Sequence, residues 1–280
     1  MFYIHLFRVK CESLPQGDFL RASRDSVEVI SKSIESKPTA EVGRRSEWHI
    51  GNVERVDGGG IAFAMGRTQA VTSPKFDSVS HDFVEEEAMK APFTIGVFDV
   101  ETQACGIIRK TGVSQNSSEV ARNLEVLLNA ARFARESNSR IIVEPIPDPV
   151  GFIDAIRRAK AVTRFIFTVS RPNPHDVNRL IQRPAEEFTE AAEGTRTRVE
   201  VEGENLNKDL IEEVAHATAA VGEIAAANII PEGGGRTKRV YLSGNAVVEP
   251  VETNEKTSVF AAILDRTRAA YARVRNSARP

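Results

Sequence analysis

Side chains that could hold a metal are concentrated between Asp77 and Glu87. This run contains five carboxylates and one histidine, namely Asp77, His81, Asp82, Glu85, Glu86 and Glu87. Such groups can bind a divalent cation and activate water for phosphodiester cleavage, and on a helix His81 and Glu85 would be i, i+4 neighbours. The run lies between two predicted strands, however, where a block of like charges is typical of a solvated linker. We therefore predict no metal and no cofactor, and we keep a metal-dependent nuclease as an alternative function.

Two glycine-rich segments raise the question of phosphate binding. A P-loop needs G-x-x-x-x-G-K-[ST] between a strand and a helix, so that main-chain amides and the helix N-terminus surround the phosphate. The segment Gly233–Lys238 follows a predicted helix, precedes a predicted strand and lacks a Lys-Ser or Lys-Thr pair. Gly58–Gly60 has neither the G-x-G-x-x-G spacing nor a following helix. Both segments are predicted to be turns, although the cations after Gly235 could still contact phosphates.

The sequence contains no recognisable catalytic motif. A nucleophile elbow, G-x-S-x-G, is absent, and the five histidines are scattered along the chain. The triplet Glu35-Ser36-Lys37 matches the Glu-x-Lys of restriction-type nucleases, but it lies at the end of a predicted helix and not on a strand. Glu144 and Asp148 flank a proline-rich hinge and could act as an acid–base pair, but the pattern favours an exposed crossing over a catalytic pair. We predict no catalytic residue, which favours a protein that is not an enzyme.

Basic residues form separate blocks although the net charge is only -2. Seven basic and two acidic residues occupy Gly151–Arg183, twelve acidic and three basic residues occupy Pro184–Glu232, and the last twenty residues carry five arginines. Segregated charge can steer a polyanion to one face of a nearly neutral protein, although solvated faces would show the same pattern. The predicted nucleic-acid-binding residues are Arg157, Arg158, Lys160, Arg236, Lys238, Arg239, Arg268 and Arg275.

The first part of the chain, residues 1–146, is predicted to be an antiparallel sheet with two helices. Tyr3–Val9 alternates as a strand, and Phe19, Val27, Ile30 and Ile34 share one side of a helix that Pro38 stops. Predicted hairpins turn at Asp57–Gly60 and at Glu101-Thr102. Asn116-Ser117-Ser118-Glu119 resembles a capping box and begins the second helix. A strand over Ile141–Ile146 ends this segment.

The second part, residues 151–280, is predicted to be a mixed α/β domain beyond the prolines at 145, 147 and 149. We expect helices over 152–160 and 175–191, strands over 163–170 and 195–201, and a long helix from Leu206 that reaches Ile224. A hairpin over 239–242 and 246–251 follows, and then a final helix with Phe260, Ile263 and Tyr271 on its inner face. Hairpins mixed with helices predict an α+β fold.

Composition is that of an ordinary globular protein. With 280 residues and 41% hydrophobic residues, the chain needs no disulfide or metal to stabilise a core. The two cysteines, Cys11 and Cys105, form no CxxC motif, which indicates a reducing compartment. Met1–Lys10 alternates as a strand and not as a signal peptide, and no stretch approaches the roughly 20 apolar residues of a membrane span. We expect a cytoplasmic protein.

The middle of the chain resembles the RexA-like prophage exclusion family and, more loosely, the KwaB-like family of the Kiwa anti-phage system. The matching stretches are strand patterns over about 48–170, namely Gly60–Ala64, Ala91–Phe98, Cys105–Arg109 and Ile142–Ile146. The resemblance implies a cytoplasmic DNA-binding protein that forms a homodimer and works beside a small membrane partner. It implies no catalytic residues. The N-terminal strand–helix segment and the acidic block from Pro184 depart from what can be aligned, which leaves the binding surface unassigned by the resemblance.

The function predicted from the sequence is therefore sequence-nonspecific DNA binding in phage exclusion or anti-phage defence. The alternatives are the metal-dependent nuclease, which would use the Asp77–Glu87 carboxylates, and an interaction scaffold without a nucleic-acid role. The scaffold would expose a dominant apolar patch in place of a basic groove.

Overall fold

The structure is a computed structural model, and it describes residues 1–13, 25–43, 46–114, 116–170, 182–243, 246–253 and 258–276. The strands are β1 (Phe2–Ser13), β2 (Thr39–Glu41), β3 (Glu47–Val56), β4 (Gly60–Asp77), β5 (Asp82–Lys90), β6 (Phe93–Asp99), β7 (Ala104–Ile108), β8 (Ser139–Pro145), β9 (Ala159–Ser170), β10 (Arg196–Glu202), β11 (Ala225–Pro231), β12 (Lys238–Leu242) and β13 (Val248–Val251). The helices are α1 (Ser26–Glu35), α2 (Ser117–Ala130), α3 (Arg132–Glu136), α4 (Val150–Arg158), α5 (Gln182–Ala191), α6 (Lys208–Ala220) and α7 (Val259–Arg275). This arrangement confirms the predicted α+β fold.

Nine strands form a large antiparallel sheet in the order β13-β1-β7-β6-β4-β3-β2, with β8 and β5 attached to β1 and β4. One edge of β1 is shared, since its first residues pair with β13 and its later residues pair with β8. Likewise β4 pairs first with β6 and then, beyond Arg67, with β5. The hairpins predicted from the turn residues are confirmed, and Gly58 and Gly59 both take a φ of +91° in the β3–β4 turn, a conformation that favours glycine.

The predicted cap of α2 is confirmed, and the structure adds a cap for α1. Asn116 accepts a hydrogen bond from the Glu119 amide at 2.7 Å and so caps α2, while Asp25 accepts from Val27 at 3.1 Å and caps α1. These side chains satisfy main-chain donors that the first helical turn leaves unpaired. Phe19, predicted to share a helix face with Val27, lies outside the described residues.

The molecule is layered because both faces of the large sheet bury apolar side chains. In β1, Phe7 and Val9 point to the face that α1, α2 and α3 cover, whereas Ile4 and Leu6 point to the opposite face. On that opposite side α7 packs across the large sheet and against α6, while α6 and α4 cover a second sheet of four strands, ordered β10-β9-β11-β12. One continuous apolar core therefore joins the two sheets.

Two predictions for the second half need correction, and a third falls outside the described residues. The helix predicted to reach Ile224 ends at Ala220, because residues 225–231 form the buried strand β11, which the alanine-rich sequence did not reveal. Strands β12 and β13 form no hairpin with each other, since β12 pairs with β11 in the small sheet and β13 pairs with β1 in the large one. The α5 helix is described only from Gln182, so the predicted start at His175 lies outside the described residues.

Segments 1–146 and 151–280, predicted as separate domains, share one apolar core. Strand β13 completes the edge of the large sheet, and α7 packs across that sheet with Ile263 and Leu264 buried. Helix α7 approaches β7 closely at Gly106, where an added Cβ would overlap with Thr267 Oγ1. How the chain divides into domains stays a prediction, but the second segment contributes directly to the packing of the first.

Acidification below pH 6.5 is expected to destabilise the protein through His5. Burial, and secondarily the charge of Arg109, holds the pKa of His5 below its usual 6.5. The unfolded chain then binds the proton at a higher pH than the folded chain does, so this contribution to stability is complete above pH 6.5 and is lost as the pH falls. Urea unfolding at about pH 7.5 and about pH 5.5 should show a smaller pH dependence for His5→Gln than for the wild type. An identical pH dependence in both proteins would contradict this assignment.

Candidate nucleic-acid interface

Six of the predicted cations converge at one end of the small sheet. Helix α4 ends with Arg157 and Arg158, and β9 begins immediately afterwards at Ala159. Because β11 runs antiparallel to β9, its last residue, Pro231, pairs with Ala159, and the turn from β11 to β12 starts at the same place. We call the resulting cluster the basic rim, and it consists of Arg157, Arg158, Lys160, Arg236, Lys238 and Arg239.

Two members of the basic rim lie near carboxylates, and only Arg157 is closely paired. Nε of Arg157 donates to Glu212 at 2.8 Å and Nη2 donates to the other oxygen, and this hydrogen bonding raises the pKa of Arg157. Arg158 lies 4.0 Å from Asp154, four residues earlier on α4. Fixed pairs such as Arg157–Glu212 shape the rim but leave less charge for an external anion.

The other four members of the rim retain their charge toward solvent. Lys160, Arg236, Lys238 and Arg239 are all exposed, and none of them forms an ion pair with any described carboxylate. Arg239 instead lies over the ring of Tyr241, with 5.3 Å between the guanidinium carbon and the ring centroid. Four unpaired cations at one end of a sheet make a site where an anion would be attracted.

Two neighbours of the rim were not predicted from the sequence. The ammonium of Lys208 donates to the carbonyl of Arg157 at 3.4 Å and to that of Ala159, which satisfies carbonyls at the end of α4. Tyr241 is 58% exposed on β12. Neither residue belongs to a basic block or a motif, so only the pairing of β11 with β12 and the packing of α6 reveal their position.

The two predicted residues on α7 lie against the large sheet and outside the basic rim. Arg268 donates to Asp99 at 2.6 Å and to the Gly58 carbonyl at 2.8 Å, and the hydrogen bond with Asp99 raises its pKa. Burial lowers the pKa of Arg275, which is only partly exposed. These contacts stabilise the sheet beneath α7, and the nucleic-acid role of both arginines stays a prediction.

The run from Asp77 to Glu87 is not the linker that we predicted but the turn and most of the second strand of a two-stranded arm. Strands β4 and β5 continue beyond the sheet for nine residue pairs, from Gln69↔Lys90 to Asp77↔Asp82. We call this hairpin the acidic arm. The β-branched and aromatic residues Val71, Phe76, Phe83 and Val84 explain its strand structure, which the density of charge had concealed.

The acidic arm does not gather its carboxylates around one point. Side chains alternate between the two faces of a strand, so Glu86 lies opposite to Glu85 and Glu87 and instead pairs with Lys75 at 3.0 Å. His81 sits in the turn with a φ of +60° and not on a helix. Hydrogen bonds from Val79 and Ser80 lower the pKa of Asp77. Within the described ranges, no three His, Cys, Asp or Glu side chains are placed to hold a metal.

The glycine-rich segment after β11 is a turn, as predicted, but it connects two strands. Gly234 and Gly235 take φ values of +72° and +108°, and β12 starts at Lys238, soon after Gly235. No helix N-terminus follows, so the segment lacks the element that a P-loop needs to bind phosphate. Its three consecutive glycines nevertheless leave main-chain amides beside Arg236 without shielding side chains.

A buried ion network lies away from the rim, where the two sheets meet. Lys10, which is 1% exposed, contacts Glu144 at 2.8 Å and Glu223 at 3.2 Å. Glu223 also accepts hydrogen bonds from Thr168 at 2.7 Å and from Arg196 at 3.3 Å. Each carboxylate of this network has a cation, which favours a structural role over catalysis.

The two carboxylates that flank the proline-rich hinge have different structural roles. Glu144, predicted as part of an exposed crossing, is engaged by Lys10. Asp148 accepts a hydrogen bond from the Val150 amide at 3.0 Å, at the exposed start of α4. The contacts of both side chains are those of structural residues, so the hinge offers no acid–base pair.

Neither family models nor curated proteins provide a relative for this chain. No family model matches the sequence, and no curated protein matches it significantly. Among the helices of the described residues, none combines the length and the apolar composition needed to cross a membrane. The function is therefore inferred from the basic rim and its surroundings.

Proposed function

We propose that the protein binds DNA without sequence preference through the basic rim and acts in phage exclusion or anti-phage defence. The observation that carries the DNA-binding part is the convergence of cations from α4, β9 and the β11–β12 turn at one end of the small sheet. Contacts with phosphates dominate the affinity of such sites, because each Lys or Arg side chain that neutralises a phosphate releases counterions from the nucleic acid. The role in defence, the homodimer and a small membrane partner rest on the family resemblance.

The composition of the rim favours contacts with the sugar–phosphate backbone. Its unpaired members are lysines and arginines on long side chains, which neutralise phosphates but read no sequence unless they are held against base edges. The glycines at 233–235 leave room for a phosphate to approach main-chain amides beside Arg236. Binding of this type should fall steeply as the salt concentration rises.

Reversing three rim charges is expected to weaken DNA binding at every sequence. The variant Arg236→Glu/Lys238→Glu/Arg239→Glu should bind a fluorescent duplex of about 25 base pairs at least about tenfold more weakly in roughly 100 mM salt, measured by anisotropy. Its plot of log affinity against log salt should be shallower by about 0.9 for each phosphate that the rim no longer neutralises.

A matched control separates the position of the charges from the total charge. Arg122→Glu/Arg132→Glu/Arg140→Glu changes the net charge by the same amount, but these exposed arginines lie on α2, α3 and β8. This control should retain most of the affinity of the wild type. Equal reductions in both variants, or salt-insensitive binding by the wild type, would contradict the proposed site.

The acidic arm favours protein interaction as a second candidate function. It exposes Val79, Phe83 and Met89 by 89%, 82% and 71%, and a two-stranded ribbon is only marginally stable in water without a partner surface. Clustered apolar exposure of this kind marks interaction sites. If the wild type binds no DNA at any salt concentration, this role of the arm becomes the better supported one.

A further inference from the structure

The small sheet presents an aromatic ring to solvent at its edge, beside the basic rim. On the face that packs against α4 and α6, Phe165 and Phe167 are almost completely buried. On the opposite face, Tyr241 of the edge strand β12 is 58% exposed. Its cross-strand neighbour on β11 is Ala226, whose own neighbour on β9 is Ile166. The side chain of Ala226 is too short to cover the ring of Tyr241 from the side of the sheet.

Polar groups surround this ring on the side of the rim. Arg239 lies two residues earlier on β12, on the same face, and its guanidinium carbon is 5.3 Å from the ring centroid. The cross-strand partner of Arg239 is Asn228, which in turn lies beside Arg164. A π surface with a cation and an amide next to it matches the chemistry of a nucleobase, which offers a flat ring and polar edges.

The carboxylates of the small sheet limit the path that a bound nucleic-acid strand could follow across its surface. Arg164 is engaged by Glu200 and Glu202 of β10, and Arg198 lies 3.6 Å from Glu200, so the cations at the centre and the far edge of this face are paired with carboxylates. The unpaired cations Arg236, Lys238 and Arg239 lie instead in the glycine turn and along β12. A polyanion would therefore follow the β12 edge, from the glycine turn toward Tyr241, and would not cross the sheet.

We infer that Tyr241 stacks on an unpaired base and that the basic rim consequently prefers single-stranded nucleic acid to duplex. This inference rests on the proposed function, since it specifies the ligand of the same rim. In a duplex the flat faces of the bases are covered by their neighbours, and only phosphates are offered to the rim. A single strand offers phosphates to the cations and one base face to Tyr241 at the same time.

The test compares a fluorescent single strand of about 20 nucleotides with the duplex of the same sequence, by anisotropy in roughly 100 mM salt. Tyr241→Ala should weaken single-strand binding about 5- to 150-fold, the range for removal of one stacked base, and should leave duplex binding unchanged. Tyr241→Phe keeps the ring and should bind as the wild type does. Tyr3→Ala, which removes a tyrosine that is 44% exposed on β1, is the matched control and should change neither affinity.

The possible failures of the two proposals are distinguishable. If the wild type binds single strand and duplex equally and Tyr241→Ala changes neither, the stacking inference is overturned while the DNA-binding function stands. If Tyr241→Ala and the charge-reversal variant weaken both forms alike, Tyr241 supports the rim without reading bases, which also overturns the inference. If the wild type binds neither form, both proposals fail. Thermal melting of each variant verifies that the fold is intact.

Discussion

Lys10→Ala is expected to lower the free energy of unfolding by about 3–5 kcal/mol, the usual cost of removing one partner from a buried ion pair. The substitution would leave Glu223, whose side chain is 0% exposed, without the ammonium that lies 3.2 Å away, and would leave Glu144 without its partner at 2.8 Å. The network joins β1 and β8 of the large sheet to the end of α6 and to β9, so the substitution weakens the packing between the two sheets. Urea denaturation measures the effect, together with a melting temperature lower by about 10 °C.

An exposed lysine provides the comparison for this result. Lys32 pairs with Glu28 at 2.5 Å on the surface of α1, and its side chain is 48% exposed. Its ammonium also lies 4.7 Å from the ring centroid of Phe133, so Lys32→Ala should cost about 0.5–1.5 kcal/mol, well below the effect of Lys10→Ala. In addition, Lys10→Ala combined with Glu223→Gln should be more stable than the sum of the two single effects predicts, because the second change removes a buried charge that has lost the Lys10 ammonium and keeps only Arg196, at 3.3 Å, as its cation. Additive effects would show that Lys10 acts through packing alone.

Gly106→Ala is expected to cost about 1–3 kcal/mol by forcing α7 away from the large sheet. The new methyl group would overlap with Thr267 Oγ1 and would lie 3.1 Å from Ile4 Cδ1 and 3.3 Å from Ile263 Cγ2. Thr267 is fully buried and β-branched, so rotation about χ1 replaces its hydroxyl by its methyl group and gives little relief. The melting temperature should fall by several degrees.

A second substitution, on α7, is expected to relieve this clash. Thr267→Ala removes the atom that overlaps, so Gly106→Ala/Thr267→Ala should recover most of the stability that Gly106→Ala removes. Gly151→Ala is the matched control, because nothing lies within 4 Å of the added group and alanine favours the helix that contains it. If the double variant is less stable than either single variant, the clash at Thr267 is not the cause.

Local signals in the sequence predicted most elements correctly where the elements depend on neighbouring residues. The Asp57–Gly60 turn and the Asn116 cap are examples, since glycine tolerates a positive φ and an asparagine side chain can replace a missing main-chain acceptor. The inner face of α7 was also predicted correctly, because its apolar residues recur with helical spacing, and Ile263 and Tyr271 are buried.

Prediction failed where long-range pairing overrides local preference. Ala225–Ala227 favours a helix by composition, yet β9 and β12 on either side recruit these residues into a strand. The acidic run after Asp77 suggested a linker, but pairing with residues 69–77 holds it in the arm. The partner of β13 also lies far away in the chain, in β1, so no local pattern could have separated β13 from β12.

The candidate site also combines features that the sequence predicted with features that depend on tertiary contacts. The sequence by itself identified the cations of the basic rim as members of charged blocks, because charge is a property of each residue. It could not show that Arg157 would be neutralised by Glu212 or that Arg268 would lie against Asp99, since ion pairs depend on distances between remote segments.

The absence of a recognisable catalytic motif and the segregation of basic residues were determined by the sequence itself, because both are read from residue types and spacing. Only the tertiary structure decided which cations meet at one end of the small sheet and form no ion pair with a described carboxylate, and that an exposed tyrosine lies beside Arg239. Strand register is the physical reason: the pairing of Pro231 with Ala159 brings three segments to one end of the small sheet, and the pairing of Tyr241 with Ala226 places the ring beside them.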